Sequence, residues 1–244
     1  MRLLVDVGNT QVKYVLQADK RSAALNEVVY LDYQSFKAQL SQATFSQVSE
    51  VILANVHGQK IADAIEAWTE LNNIAFMQVH SVAKAFGVYS SYQQPERLGV
   101  DRWLAMIGAK QLYPQQNLLI IDAGTATTVD VIDANGQHCG GWIMPGVQTM
   151  FNSLLTQTKK IIATPNTTGS LLFGKDSSDC VNNGSWAMTI GAVKEAIIQA
   201  NSVLLLEKVL ITGGNAEQIV NLISDNCQLE PKLVFHGLSC FQAR

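Results

Sequence analysis

Two short stretches of the sequence place an aspartate two residues ahead of a glycine, with a threonine just beyond: Asp6-Val7-Gly8-Asn9-Thr10 and Asp122-Ala123-Gly124-Thr125. A glycine-centred turn lets the backbone come close to a ligand, and its N–H groups, with Asn and Thr side chains, suit phosphate oxygens. Lys13, three residues past Thr10, adds a positive charge beside those oxygens. The carboxylate ahead of each glycine suits a hydrated Mg²⁺, which keeps several waters and takes one or two protein carboxylates plus substrate phosphates. Either turn alone reads as a hairpin tip. Two copies, each at the end of an apolar run, read as a pair of phosphate cradles that clamp a nucleotide. A third stretch, Gly99-Val100-Asp101-Arg102, opens a helix. From spacing alone, Asp101 reads first as an acid stabilised by the helix N-terminus. Arg102 offers a rigid fork of donors to a ligand carboxylate or hydroxyl, or else a local ion pair to Asp101 or Glu96.

Buried strands have to deliver both turns. Leu3-Leu4-Val5-Asp6-Val7 is an apolar run of strand length, and the alternation Val12, Tyr14, Leu16 predicts the returning arm of a hairpin. Val51 to Val56 predicts another buried strand, followed by an amphipathic helix through Ile61, Ile65, Trp68 and Leu71, which together make the strand and helix unit of α/β proteins. Pro95 and Gly99 punctuate a loop, after which Val100, Leu104, Ile107 and Leu112 mark one face of a helix that Pro114 stops. The order then begins again with Leu118 to Asp122, the turn at Gly124, and a returning strand through Val129, Val131 and Ile132. Val209 to Thr212, then Gly213-Gly214 and a helix through Ile219 and Ile223, repeat the unit that starts at Val51. The second aspartate and glycine pair lies 116 residues after the first, so the chain reads as a duplicated α/β domain. The boundary is expected near Pro114, giving an N-terminal domain over 1–114 and a C-terminal domain over 115–244, packed directly with the ligand cleft between them.

Composition narrows the function classes. The 244 residues carry 17 Lys+Arg against 20 Asp+Glu, and 48% of positions are hydrophobic, enough for a large core and a cleft. Only 15% are charged, below the roughly 25% of an average soluble protein, which suits a large core or burial at a subunit interface. A net charge of −3 without a basic cluster gives no handle on nucleic acid. No apolar run approaches the roughly 20 residues that span a bilayer, and Asp6 interrupts the first apolar stretch before it could serve as a signal-peptide core. A cytoplasmic protein with no membrane partner is the expectation. Cys139, Cys180, Cys227 and Cys240 lie far apart without zinc-ligand spacing, and read as reduced, mostly structural thiols. Gly169 to Asp176 nearly spells a phosphate-binding loop, but Asp176 stands where a Mg²⁺-binding hydroxyl belongs. The fingerprints of dinucleotide-binding folds and of protein kinases are absent.

Asp6-Val7-Gly8-Asn9-Thr10 with Lys13, Gly99-Val100-Asp101-Arg102, and Asp122-Ala123-Gly124-Thr125, in this order and spacing, resemble the type III pantothenate kinases. Gly140 to Gly146 is similar to the family's glycine-rich segment after the second phosphate loop, and the resemblance runs from the first residues through Gly213-Gly214. It implies the duplicated ribonuclease-H-like domains of the superfamily of acetate and sugar kinases, actin and heat-shock chaperone ATPases, with a nucleotide cleft between them. It implies ATP-dependent phosphorylation of pantothenate to 4′-phosphopantothenate, the first step toward coenzyme A. ATP would be held by Asp6, Val7, Gly8, Asn9, Thr10, Gln11, Val12 and Lys13, and by Gly124 and Thr125. The resemblance makes Asp101 the proton acceptor for the pantothenate hydroxyl, and Tyr92, Gly99, Val100, Asp101 and Arg102 substrate contacts. Pantothenate carries a carboxylate and a primary hydroxyl, which suits an Asp and Arg pair. The family's monovalent cation, K⁺ or NH₄⁺, falls on Asp122, where the residues themselves point to Mg²⁺. The resemblance also implies a homodimer in which a threonine ahead of the helix around Ala187 and Gly191 reaches the partner's substrate. That position is Gly184 here, a departure that removes the hydroxyl unless Ser185 or a backbone N–H replaces it. Two other functions suit the same residues: a kinase of another small hydroxylated acceptor, and a non-catalytic nucleotide-binding regulator.

Overall fold

Leu3, Leu4, Val5 and Val7 are fully buried in strand β1 (Arg2–Val7), because this strand runs through the middle of a sheet covered on both faces. The computed structural model describes residues 1–18, 24–223 and 227–243. Strand β2 (Val12–Gln17) returns antiparallel to β1, and β3 (Val29–Leu31) pairs antiparallel with β2. Helix α1 (Tyr33–Leu40) follows. Strand β4 (Glu50–Asn55) lies parallel to β1, helix α2 (Gln59–Leu71) crosses over, and β5 (Ala75–Gln78) lies parallel to β4, the connection that parallel strands require. The sheet order is β3-β2-β1-β4-β5. Tyr14, Phe36, Phe45, Ile61 and Ile65 fill the core on one face. Leu71, expected on the buried face of α2, is exposed because the helix ends there. A small hairpin, β6 (Lys84–Ala85) and β7 (Val88–Tyr89), leads to helix α3 (Val100–Leu112), whose Trp103, Leu104, Met106 and Ile107 are buried.

The second unit repeats this plan. It contains β8 (Leu118–Ala123), β9 (Ala126–Ile132), β10 (His138–Pro145), α4 (Val147–Gln157), α5 (Ser177–Val203), β11 (Lys208–Thr212), α6 (Ala216–Leu222) and β12 (Cys227–Leu229). Its sheet order is β10-β9-β8-β11-β12, with β8 antiparallel to β9 and parallel to β11. Strand β8 therefore stands where β1 stands, and β11 where β4 stands. The 27-residue α5 packs its Trp186, Ile190, Val193 and Ala196 on this sheet.

The last helix among the described residues is α7 (Leu233–Ser239). The two compact units are Met1–Pro114 with Lys232–Arg244, and Gln115–Pro231. The sequence expectation kept 115–244 together; the difference lies in α7, which packs on α3. The helices approach so closely that a Cβ on Gly108 would strike the Leu233 carbonyl, and one on Gly237 the Leu104 carbonyl. Buried Arg2 adds a tether, donating to Gln17 at 2.7 Å, to the Ser239 carbonyl at 3.1 Å and to the Phe241 carbonyl, with Glu50 at 2.6 Å as its ion-pair partner. Among the described residues no helix is long and apolar enough to cross a membrane. All four cysteines are free, and Cys139 and Cys180 are exposed rather than packed.

Candidate active site

Strand β1 carries Asp6 to its carboxyl end, and the hairpin register sets Lys13 directly across from it. The Lys13 ammonium is 3.6 Å from the Asp6 carboxylate, whose side chain is only 6% exposed. Burial raises the Asp6 pKa above the usual carboxylate range; Lys13 opposes that shift and the charge of Asp101 adds to it. Asp101 is thus close enough to Asp6 for the two charges to be felt. Gly8 begins the turn, its N–H donating to the Gln11 carbonyl at 3.0 Å. Asn9, Thr10 and Gln11 are exposed at the tip. Val7 and Val12 are fully buried, so they anchor the turn and can offer a ligand only backbone.

The stretch from Gly99 to Arg102 is built at the start of α3. Gly99 is the residue before the helix, and a Cβ there would lie 2.6 Å from the Asp101 carboxylate. The missing side chain lets that carboxylate fold back, where it accepts from the Arg102 backbone N–H at 2.8 Å. Arg102 is 4% exposed and donates to the Tyr92 hydroxyl at 2.9 Å, with its guanidinium carbon 5.8 Å from the Tyr92 ring centre. Tyr92, Gly99, Asp101 and Arg102 are therefore brought together, while the Val100 side chain is buried.

The second turn is held differently. Asp122, half-buried at the end of β8, lies level with Thr128 on β9 and Thr212 on β11. The Gly124 N–H donates to the Ala126 carbonyl at 3.0 Å. The Thr125 carbonyl accepts from the Gly146 N–H at 3.0 Å and from the Thr149 hydroxyl at 2.7 Å. A Cβ on Gly146 would collide with the Gly124 carbonyl. Gly213, at φ +93°, leaves room for the Asp122 carboxylate and the Ala123 backbone. Sequence reasoning noticed both glycines as motif members without seeing that they grip this turn.

Three further positions can be placed. Gly184 lies inside α5 rather than ahead of a helix, beside Thr149, Ser153, Leu154 and Met188. The Ser185 hydroxyl is buried and donates to the Val181 carbonyl at 2.8 Å, so it is engaged within its own helix. Asp176 caps α5 by accepting from the Asp179 N–H at 2.8 Å, which accounts for the near-match to a phosphate-binding loop. Tyr33 was missed altogether: its hydroxyl donates to the Gly8 carbonyl at 2.5 Å.

No three His, Cys, Asp or Glu residues among those described form a metal cage. Each turn offers a single carboxylate, which suits a cation whose remaining ligands are waters and phosphate oxygens.

The model of the type III pantothenate kinase family matches residues 2–199. The chain belongs to that family. A type III pantothenate kinase of Colwellia psychrerythraea is 40% identical over 98% of both chains, and one of Pseudoalteromonas translucida is 31% identical over 98% of this chain and 95% of its own. Among solved structures, a protein described as a Baf family transcriptional activator from Campylobacter jejuni superposes with a TM-score of 0.63 at 22% identity, covering 98% of this chain and 96% of its own. A 2-dehydro-3-deoxygalactonokinase-like protein from Sinorhizobium meliloti gives 0.60 at 12% identity, covering 98% and 97%. These likenesses bear on fold alone. The two matching strand orders display the duplicated ribonuclease-H-like, actin-like ATPase fold in this chain.

Proposed function

We propose that the protein transfers the γ-phosphoryl group of ATP to the primary hydroxyl of pantothenate, giving 4′-phosphopantothenate and ADP in coenzyme A biosynthesis. The observation that carries the site assignment is the Asp101 carboxylate, folded back at the start of α3 against a bare glycine and beside the Arg102 and Tyr92 pair. Asp101 takes the hydroxyl proton as the new O–P bond forms and the bond to the ADP oxygen breaks. Arg102, held by Tyr92, binds the pantothenate carboxylate. Lys13 and the Gly8 to Thr10 turn hold phosphate oxygens, as do Gly124 and Thr125. Mg²⁺ would be held by the phosphates and the Asp6 carboxylate, and would supply charge neutralisation. We assign the monovalent cation, K⁺ or NH₄⁺, to Asp122, because this turn sets threonines rather than a lysine level with the carboxylate.

We further propose a homodimer. Met188 of α5 and Leu154 of α4 are exposed beside Gly184, and Leu172, whose carbonyl accepts from Asn183 of α5, and Phe173 are exposed as well; a second copy of the chain is the partner that would bury them. A cytoplasmic location suits four free thiols.

ADP release from purified protein with ATP, Mg²⁺ and pantothenate tests the reading, with K⁺ replaced by Na⁺ in a parallel sample. Turnover that requires pantothenate and K⁺ is expected. Nucleotide binding with no pantothenate-dependent turnover would shift the assignment to another hydroxylated acceptor or to a regulatory role.

A further inference from the structure

The Gly8 carbonyl is held from outside its own hairpin. The Tyr33 hydroxyl donates to it at 2.5 Å, and the Tyr33 ring stacks on His57 with centroids 4.3 Å apart and planes 19° from parallel. Separate pieces of the fold fix this pair. Asp32 caps α1, accepting from the Ser35 N–H at 2.8 Å and from the Ser35 hydroxyl at 2.7 Å, which sets the first helical residue, Tyr33. His57 sits in a turn closed by Asn55, which accepts from the His57 N–H at 3.0 Å and donates to the Gly58 carbonyl at 2.9 Å. Asn55 is in turn level with Val7 at the end of β1, where the Val56 N–H donates to the Val7 carbonyl at 3.0 Å. The stacked pair therefore reaches the phosphate turn from two elements, both anchored to the strands that carry it.

Peptide geometry gives this contact a consequence. The C=O and N–H of one trans peptide unit point in opposite directions. Holding the Gly8 carbonyl toward Tyr33 aims the Asn9 N–H the other way, at the exposed tip of the turn. We propose that Tyr33, backed by His57, is a positioning residue that locks the Gly8–Asn9 peptide so that the Asn9 N–H is presented to a β- or γ-phosphate oxygen of the nucleotide. This rests on reading the Asp6 to Lys13 stretch as a phosphate loop. Burial first, and the nearby Asp6 charge second, raise the Tyr33 pKa, so the phenol stays a donor well above neutral pH. The second turn is fastened through Gly146 and Thr149.

The test measures binding of an imido-bridged, non-hydrolysable ATP analogue by calorimetry, together with steady-state KM values, in the wild type, Tyr33→Phe and His57→Ala. Tyr33→Phe keeps the ring and removes only the donor. It should raise the analogue Kd and the KM for ATP about tenfold, near the upper range for a neutral hydrogen bond. The pantothenate KM and the unfolding midpoint should stay where they are. His57→Ala, which leaves the phenol but removes its backing, should act in the same direction and by less. Unchanged analogue affinity in Tyr33→Phe overturns the proposal, as does a parallel loss of nucleotide affinity, pantothenate affinity and unfolding midpoint. Should Tyr33→Phe fail to fold, His57→Ala decides by the same criteria. A wild type that does not bind the analogue sinks the phosphate-loop reading itself, a result distinct from wild-type binding that the substitution leaves untouched.

Discussion

The turn at Gly8 and the turn at Gly124 end equivalent strands in two sheets of the same order, yet different groups surround them. Asp6 has Lys13 across the hairpin and Asp101 within electrostatic reach. Asp122 has Thr128 across the hairpin and Thr212 on the parallel strand. Where the neighbouring parallel strand ends, the first unit places Asn55, whose side chain closes a local turn, and the second places Gly213, whose missing side chain makes room for Asp122. Duplication preserved the backbone frame and left charge free to diverge. The first turn has a buried carboxylate paired with an ammonium within reach of Asp101, and the second a carboxylate seated by backbone packing. In our reading the first handles the reacting phosphoryl group, and the second the cation and the rest of the phosphate chain.

The division is tested most severely at Asp101. Asp101→Asn should lower kcat by about 10²–10⁴-fold, the usual worth of a positioned proton acceptor, while calorimetry finds nucleotide analogue binding intact. Were Asp122→Asn to cause that loss of kcat, and Asp101→Asn only a change in affinity, the roles of the two units would be reversed.

The next effect is on stability and belongs to the second turn. A methyl group at position 213 would meet the Asp122 carboxylate and the Ala123 backbone, at a φ of +93° that L side chains rarely adopt. Gly213→Ala should destabilise the fold by about 1–3 kcal/mol, the usual cost of overpacking, as read from denaturant unfolding. It should also raise the ATP KM through the displaced Asp122.

Much of this arrangement was legible in the sequence because it is local. The apolar runs ending in Asp6 and Asp122, the glycines after them and the Asp101-Arg102 pair all lie within windows where period and turn chemistry carry information. What escaped depends on contacts between distant segments. Nothing near Tyr33 or His57 signals that a capped helix and a strand-end turn will bring them together over Gly8. The return of α7 to the first unit rests on Gly108 meeting Leu233, and the seating of the Gly124 turn on Gly146. Gly184 was expected ahead of a helix and lies within one, since helical periodicity around Ala187 does not reveal that α5 already begins at Ser177.

Asp6 offers a prediction whose sign is informative. Its pKa is raised by burial in the folded state, so folding stability falls as pH rises from the unfolded carboxylate value through the raised folded value, and stays at the lower level beyond it. Asp6→Asn removes the buried charge. Its unfolding midpoint at neutral pH should lie above that of the wild type, with the gap closing as pH is lowered through the raised pKa. Activity should fall in the same variant, because Lys13 loses its partner beside the Gly8 turn. A variant less stable than the wild type at neutral pH would mean that the Lys13 pair outweighs desolvation.

The smallest expected effect lies at Asp32, exposed at the cap of α1. The Ser35 backbone N–H first, and the Ser35 hydroxyl second, hold its pKa below the usual range. Its stabilising contribution is therefore present above the unfolded carboxylate pKa and lost as pH falls through the lowered folded value. Asp32→Ala should lower the unfolding midpoint slightly at neutral pH, and the difference should vanish in acid, where the wild-type cap is protonated too. Because the cap sets the first helical residue, Tyr33, the ATP KM should drift upward by less than Tyr33→Phe produces, with the pantothenate KM unmoved. Asp6 and Asp32 thus respond to acid in opposite senses, one gaining stability on protonation and the other losing it. A midpoint difference for Asp32→Ala that persisted at low pH would show that the cap acts through packing rather than through its charge.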